Sequence, residues 1–390
     1  MINTETLKTL APAIREMLRI KSSLLGRPLI GPQSVNIHAI QACDRKCAFC
    51  WYFSPLISSP PKRAMLDYKV LEGVIEDCHE IGVDEINLEG GEIVLYPHAE
   101  QAFRKVKELG MQLRAYSHLD FDSKHLRYLC LADRLIVNLS AMTEESYRRV
   151  HGKASGSLAT LLKHLDRLLV SRRRYGKPEI VLTFIVYDHN YKEMPAFLKL
   201  SQERGVDQVY IRFFKATKEM KELVFSKDSL MELREIVETA LGAGFTFDHN
   251  LANVKNIIVN GHQFENVVAL TPTPTNNDRL LVYDATAGRK TNCQIGWFYS
   301  YIDENGQVVA PCDGVGVCVA GNVNQRRFRD IWFDNDFLHN TLREASGGIH
   351  SCSEKWQECR HCSYVPVNKY LNDKIDRVRG AAALKEQRVS

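Results

Sequence analysis

Apolar residues fall along this chain in two alternating rhythms. Runs at 35–41, 85–88, 112–116, 134–139, 179–186 and 208–214 are short and nearly continuous, as in strands covered on both faces. Each is followed by a stretch whose apolar residues recur every three or four positions. Over 69–81, Val70, Leu71, Val74, Ile75, Cys78 and Ile81 make one stripe, which Gly82 ends. Over 99–109 the stripe is Ala102, Phe103, Val106 and Leu109, stopped by Gly110. The last helix of the series, 226–244, opens near Asp228 and carries Leu230, Leu233, Ile236, Val237, Ala240 and Leu241. Strands separated by helices of this length predict parallel βαβ units. Six units fall short of an eight-fold closed barrel. The expected fold class is therefore α/β, an open sheet or partial (β/α)6 barrel of the TIM type over 35–245.

The flanks read differently. Residues 1–34 are a helical extension: Glu5, Lys8, Arg15, Glu16, Arg19 and Lys21 interrupt the apolar residues, which suits an amphipathic helix and not a signal peptide. Residues 246–290 form a bridge with a turn-rich 271–277. A small α+β domain follows over 291–371, with a hairpin at 300–309 around Asn305-Gly306, a two-residue turn, and a helix at 326–337. The tail 372–390 is polar and reads as a loose helix or disorder. There is no run of ~18 apolar residues, so no membrane-spanning helix is expected, and the chain reads as cytoplasmic. With 51 basic against 47 acidic residues, the charge makes no case for nucleic acid.

Eleven cysteines carry the chemistry. Without a secretory signal they read as metal ligands or catalytic groups and not as disulfides. Cys43, Cys47 and Cys50 form C-x3-C-x2-C directly after the first strand. Three thiolates on one loop can hold three irons of a four-iron cubane and leave the fourth open, the position a centre keeps when it handles a ligand. The alternative is a zinc site, but zinc wants a fourth Cys or His, and none is adjacent. Cys78 and Cys130 lie on apolar stripes and read as small buried residues. Arg172, Arg173 and Arg174 read as a solvated helix end.

The spacing, with Phe49 before the last cysteine, resembles the radical S-adenosylmethionine (radical SAM) superfamily. A second segment agrees with it. The second strand ends in Gly90-Gly91-Glu92-Ile93, similar to that family's Gly-Gly-Glu-Pro, with Ile93 in place of proline. The resemblance implies that S-adenosylmethionine chelates the open iron and that Glu92, reached past two glycines, holds its amino group. It also places Phe49, Asn138 and Ser140 beside the cofactor, the last two standing for the serine and aspartate of a Ser-Leu-Asp-Gly segment. His151 stands where that segment usually has arginine. Tyr116-Ser117-His118 replaces a common Thr-Asn-Gly, which makes Ser117 and His118 substrate-side candidates. For His118 a purely structural, hydrogen-bonded role is an equal alternative.

The last quarter resembles the SPASM and twitch extensions of radical enzymes. Cys293, Cys312, Cys359 and Cys362 would then hold one auxiliary four-iron cluster. Cys318 and Cys352 are left for a second cluster or as replacements, and structural zinc is the alternative. The implied activity is radical-initiated chemistry at a C–H bond. It needs S-adenosylmethionine, a radical-site 4Fe-4S cluster and a low-potential donor such as flavodoxin or ferredoxin. With only some 35 residues before the barrel, a small-molecule substrate of sugar or aminoglycoside type is expected. A peptide maturase is the alternative, and a non-catalytic iron–sulfur or zinc scaffold is the third reading. The paired glycines and Glu92 argue against the scaffold.

Overall fold

The structure, a computed structural model, describes residues 7, 9–50, 52–58, 63–152, 157–214, 218–261, 279–280, 292–310, 318–347 and 365–389. The alternating rhythm becomes six βα units. The strands are β1 (Ser34–Ile40), β2 (Glu85–Gly90), β3 (Gln112–Ser117), β4 (Arg134–Asn138), β5 (Glu179–Val186) and β6 (Gln208–Phe213). All six pair in parallel, each with its successor in sequence. The helices include α1 (Pro12–Leu25), α2 (Tyr68–Glu80), α3 (Ala99–Glu108), α4 (Glu144–His151), α5 (Ser157–Tyr175), α6 (Met194–Arg204) and α7 (Lys227–Leu241). Between β3 and β4 there are a 3₁₀ turn, Ser123–His125, and one α-helical turn, Leu126–Leu129.

Local signals set the helix ends. Asp67 caps α2 by accepting from the Lys69 N–H, and Ser226 caps α7 by accepting from Ser229. Thr143 and Ser146 form a reciprocal capping box at α4, and Gly152, at φ 64°, ends it. The stripe of α2 is buried at Leu71, Val74, Ile75 and Cys78. On β5, Phe184 faces the helices and packs on Phe197 of α6 at 5.1 Å.

Strand alternation then turns the other residues to the inner face. Asn36, His38, Asn87, Glu89, Tyr116, Asn138, Thr183, Tyr210 and Arg212 share that face by register. That face is mostly polar, with Ile136, Val181 and Ile185 among its apolar members. The bridge adds β7 (Asp248–His249), parallel to β6, and α8 (Leu251–Gly261). Residues 271–277 lie outside the described set.

The C-terminal region departs from expectation in four ways. The hairpin strands β8 (Tyr299–Ile302) and β9 (Gln307–Ala310) do form, and β10 (Cys318–Asn322) follows. Their turn is not the two-residue kind. Asp303 pairs with Gln307, and Gly306 at φ 80° closes a three-residue loop. Asp303 stabilises this wider turn by accepting from the Asn305 and Gln307 N–H groups.

Second, β8 hydrogen-bonds in parallel to β1, Val35 opposite Ser300 and Ile37 opposite Ile302. These ten strands thus form one sheet, β10-β9-β8-β1-β2-β3-β4-β5-β6-β7, and Phe225–Ser226 pairs antiparallel with Arg279–Leu280 in a separate two-stranded one. Third, the expected single helix at 326–337 is two, α9 (Phe328–Phe333) and α10 (Asp336–Ser346), because Asn335 caps the second by accepting from Leu338. Fourth, the tail belongs to a docked helix, α11 (Val365–Val389), with Leu371 and Ile375 buried.

Polar ties cross between the ends of the chain. Arg327 donates to buried Asp77 at 2.9 and 2.7 Å, and Trp332 Nε1 to the Ile30 carbonyl at 2.9 Å. Arg19, buried on α1, donates to the Gly31 and Gly82 carbonyls and to Asp84. No described helix is long and apolar enough to cross a membrane.

Candidate functional site

The loop that leaves β1 is tied down along its backbone. Ala48 N–H donates to the Val150 carbonyl at 2.8 Å and Lys46 N–H to that of His151 at 3.3 Å. The C-terminal end of α4 is therefore the bed of the cysteine loop. A Cβ on Gly152 would stand 2.8 Å from the Lys46 carbonyl oxygen, so the close fit requires glycine. Within the loop, Arg45 is buried (1% exposed) and pairs with Asp120 at 2.7 Å. Its guanidinium also lies 5.1 Å over the Tyr147 ring. Arg45 Nε and Nη1 and the Tyr147 hydroxyl have no hydrogen-bond partner among the described residues.

This bed presents the three thiols together. Cys43 Sγ accepts from the Arg45 N–H at 3.4 Å, and Cys50 Sγ from the Phe53 N–H at 3.4 Å. Cys47 Sγ lies 3.3 Å from His151 Nδ1. Burial pushes the Cys43 thiol up to about 12, and the neighbouring charges of Glu92, Asp44 and Cys50 add to it. Burial also raises Cys47 and Cys50. In the metal-free fold all three are neutral thiols, so metal ligation must expel their protons.

The glycine pair sits against the same loop. Gly91 N–H donates to the Ile40 carbonyl at 2.8 Å and Glu92 N–H to that of Ala42 at 2.9 Å. A Cβ on Gly90 would overlap the Ile40 oxygen, and one on Gly91 the Ala42 oxygen. Gly90 also has φ 145°, which side chains rarely adopt. The glycines thus bring Glu92 next to Cys43. Ile93, where the resembled motif has proline, starts a short 3₁₀ turn, Ile93–Leu95, and is buried.

Glu92 is 2% exposed and well held. Its oxygens accept from Ser117 Oγ at 2.9 Å, from the His118 N–H at 2.9 Å and from the Val94 N–H at 3.3 Å. His118 Nε2 lies 2.9 Å from Asp44 and 3.2 Å from Glu92. Because His118 Nδ1 accepts from the Asp120 N–H at 3.0 Å, the ring proton sits on Nε2 and bridges the two carboxylates. Leu119 follows with φ 56°, a strained turn that aims His118 inward. Ser117 and His118 therefore face Glu92. They are buried beneath it and do not open onto the inner face expected for a substrate-side residue. Donor atoms of Cys43, Asp44 and His118 lie within 4.8 Å of one another, a second metal-binding combination that shares Cys43.

Asn138 and Ser140 divide their tasks. Asn138 ends β4 on the inner face. Ser140 is fully buried, donates to Asn138 Oδ1 at 3.0 Å and accepts from the Ile185 N–H at 2.8 Å. Its hydroxyl is thus used within the protein. Phe49 is buried, edge-on to His151 at 5.9 Å and to Tyr187 at 6.2 Å. Lower on the inner face, His38 Nε2 lies 3.6 Å from Glu89, and His38 meets Tyr301 of β8 edge-on at 4.9 Å. Burial and the Glu89 charge push the Tyr116 phenol up to about 12.

Among the C-terminal cysteines, Cys293 and Cys318 are described and buried. Cys293 N–H donates to the Ala345 carbonyl at 3.0 Å, and its sulfur accepts from Asn368 Nδ2 at 3.7 Å. Cys318 opens β10 opposite Ala310. Cys312, Cys352, Cys359 and Cys362 lie outside the described residues. Cys78 is buried within the α2 stripe, and Cys130 packs at the edge of the core.

Sequence reasoning did not single out Arg45, Asp44, Asp120, Tyr147 or Asn368. Nothing in the C-x3-C spacing says that its intervening arginine is buried. Asn368 becomes visible only once α11 is folded back on Gln294, whose N–H it accepts at 2.8 Å.

Comparison with known proteins bears on both halves. Residues 37–200 match the model of the radical SAM superfamily, and residues 293–363 that of the SPASM iron-sulfur cluster-binding domain. The chain is 24% identical over 219 residues to a protein of Saccharolobus islandicus named "Probable GTP 3′,8-cyclase". That match covers 55% of this chain and 66% of the relative, just under two thirds of its length. It is 26% identical over 224 residues to the PqqA peptide cyclase of Gluconobacter oxydans, covering 55% and 59%. In fold it is similar to Streptococcus suis SuiB bound to S-adenosylmethionine, with TM-score 0.60 and 15% identity over 92% of this chain and 78% of that one. A second similar structure is anSMEcpe with bound AdoMet, with TM-score 0.55 and 13% identity over 87% and 88%.

Proposed function

Because this chain belongs to the radical SAM superfamily and carries a SPASM domain, we propose that it cleaves S-adenosylmethionine reductively and abstracts a hydrogen atom from a substrate. The observation that carries this reading is the meeting of three partly buried thiols and the buried Glu92 carboxylate at one mouth of the barrel. A four-iron cluster bound there supplies a single electron to S-adenosylmethionine, whose S–C5′ bond breaks to give the 5′-deoxyadenosyl radical. The residues present fit such a group: three sulfurs from one loop, two receiving backbone N–H groups, beside two glycines whose close packing on the Ile40 and Ala42 carbonyls brings Glu92 to the same place.

In this reading Cys43, Cys47 and Cys50 are the ligands. Gly90 and Gly91 let backbone approach the cofactor, and Glu92 takes its ammonium group. Ser117 and His118 hold Glu92 in place. Asn138 reaches the ribose or carboxylate, and Ser140 orients Asn138. Phe49 covers the ligand loop and keeps water from it. Cys293, Cys312, Cys359 and Cys362 hold one auxiliary four-iron cluster, with Cys318 and Cys352 available for a second. An auxiliary cluster held by these residues would offer a one-electron acceptor or donor near the substrate, the chemistry needed for net oxidation or a redox-neutral rearrangement. A low-potential donor such as flavodoxin or ferredoxin serves the first site.

For the substrate, a small polar molecule is the first reading. Glu89, His38, Tyr116, Tyr210 and Arg212 give the inner face both charges and three hydrogen-bonding ring side chains. A peptide is the second, favoured by the PqqA peptide cyclase relative and by fold neighbours whose structures include a bound peptide. The test is anaerobic reconstitution with a strong reductant. About eight irons and steady formation of 5′-deoxyadenosine are expected. Glu92→Ala keeps the iron and loses cofactor affinity. Stoichiometric zinc without iron would end the proposal.

A further inference from the structure

His151 touches the ligand loop at an atom whose proton can be placed. Its Nε2 accepts from the Ser140 N–H at 3.4 Å, so that nitrogen carries no proton. The neutral ring then carries its proton on Nδ1, and Nδ1 lies 3.3 Å from Cys47 Sγ. The direction of that contact is therefore fixed: the imidazole donates and the sulfur accepts. The ring is also held in place. It is 1% exposed, tilted against Tyr147 at 4.4 Å and edge-on to Phe49 at 5.9 Å. Its own carbonyl accepts from Lys46, so side chain and backbone of this residue grip the same loop.

We infer that His151 is a positioning residue that tunes the radical-site cluster, by donating an Nδ1–H hydrogen bond to the Cys47 sulfur. The inference rests on the reading that Cys43, Cys47 and Cys50 hold that cluster. A hydrogen bond to a ligating sulfur withdraws electron density and stabilises the reduced form. Among the described residues, Cys43 and Cys50 receive only backbone N–H groups. Cys47 receives this bond from a side chain, so substitution can remove it without disturbing the loop's backbone. The arrangement eases one-electron reduction by the external donor while the ring packing keeps water away.

The test uses the reconstituted full-length protein. The radical-site signal is identified in electron paramagnetic resonance as the one that changes on adding S-adenosylmethionine. His151→Phe keeps a ring between Tyr147 and Phe49 but removes the donor. It should retain the iron while the reduced-to-oxidised ratio at the wild-type midpoint falls up to tenfold, about 59 mV for one electron. His151→Asn, whose amide can take the Nδ1 position, should recover most of the shift.

Independently, wild-type protein carrying ¹⁵N-histidine should show weak coupling of a histidine nitrogen to the reduced site in pulsed resonance. This second measurement decides the matter if His151→Phe does not load iron. An unchanged potential in an iron-replete His151→Phe, or no histidine coupling in the wild type, overturns the inference. If the wild type shows no signal that responds to S-adenosylmethionine, the three-cysteine reading itself falls.

Discussion

The two cysteine regions of this molecule are built by opposite means. In the first, all three thiols come from eight consecutive residues, and the protein spends its own structure on fixing them. Backbone bonds to α4, the buried Arg45–Asp120 pair, Gly152 and the Gly90–Gly91 cradle all converge there. In the second, Cys293 and Cys318 stand at the margins of a hairpin, 25 residues apart by their numbers. Cys293 leans on two later helices, through Ala345 of α10 and Asn368 of α11, while Cys318 lies in the sheet opposite Ala310. On the proposed reading, the contrast is that a site keeping one iron open is preorganised by polypeptide. A site whose ligands all come from protein can draw part of its order from the metal.

The strongest way to break this comparison is to empty the first site. Replacing Cys43, Cys47 and Cys50 together with Ala should remove about four irons and abolish 5′-deoxyadenosine formation. The C-terminal iron should stay, since no bond of the C-terminal hairpin runs through those side chains. Iron analysis and chromatography of the cleavage products decide it; loss of all iron would mean the two regions are not separate.

The converse change should do less. Cys359→Ala with Cys362→Ala should lower iron by about four and leave 5′-deoxyadenosine formation within several-fold of wild type. Circular dichroism and gel filtration must first show a folded protein. Complete loss of cofactor cleavage in a folded double variant would make the C-terminal site essential to the first.

A smaller effect tests preorganisation itself. Gly91→Ala forces a Cβ into the Ala42 carbonyl and should cost about 1–3 kcal/mol, the range for overpacking, read as a lower melting temperature of the metal-free protein. An unchanged melting temperature would show that the cradle is pliant.

The smallest effect is electrostatic. Cys43 has a thiol raised from 9.0 to about 12 in the metal-free fold. A raised value means stability fully present below about 9 and lost as pH climbs towards 12, because only the unfolded chain ionises in that window. Of the stability that metal-free protein loses in urea titrations between pH 9 and 10, Cys43 alone should account for about 1 kcal/mol, with Cys47 and Cys50 adding to it. The Cys43→Ser variant should show less of this slope.

How much of this was legible in the sequence depends on how far apart the partners lie. All six barrel strands were readable within about two residues, because apolar runs and Gly stops are local signals. The cysteine triplet and Gly90-Gly91-Glu92 were readable for the same reason. The pairing of β8 with β1 was not: it joins residues some 260 positions apart, and neither strand carries a mark of the other. For His118 the sequence left a substrate-side and a structural role equal, because the groups that hold it, Glu92 and Asp44, lie 26 and 74 positions away. Ser140 could be placed near Asn138, but nothing in its neighbourhood showed that its hydroxyl is already shared with Ile185. The split of the expected 326–337 helix turns on Asn335, a capping signal that was present and overlooked.

The docking of β8 on β1 also bears on solubility. β1 has β2 on one side and, along Ser34–Ile37, β8 on the other, so the first half of its second edge is covered by a strand made some 260 residues later. Until Tyr299–Ile302 emerges, the nascent barrel presents the backbone donors and acceptors of Ser34–Ile37 uncovered, beside the apolar Val35 and Ile37. Such an edge pairs readily with another copy of itself. The C-terminal segment thus acts towards the barrel as a built-in edge guard. A chain cut at residue 290 would lose this cover and tend to aggregate, whatever becomes of its iron.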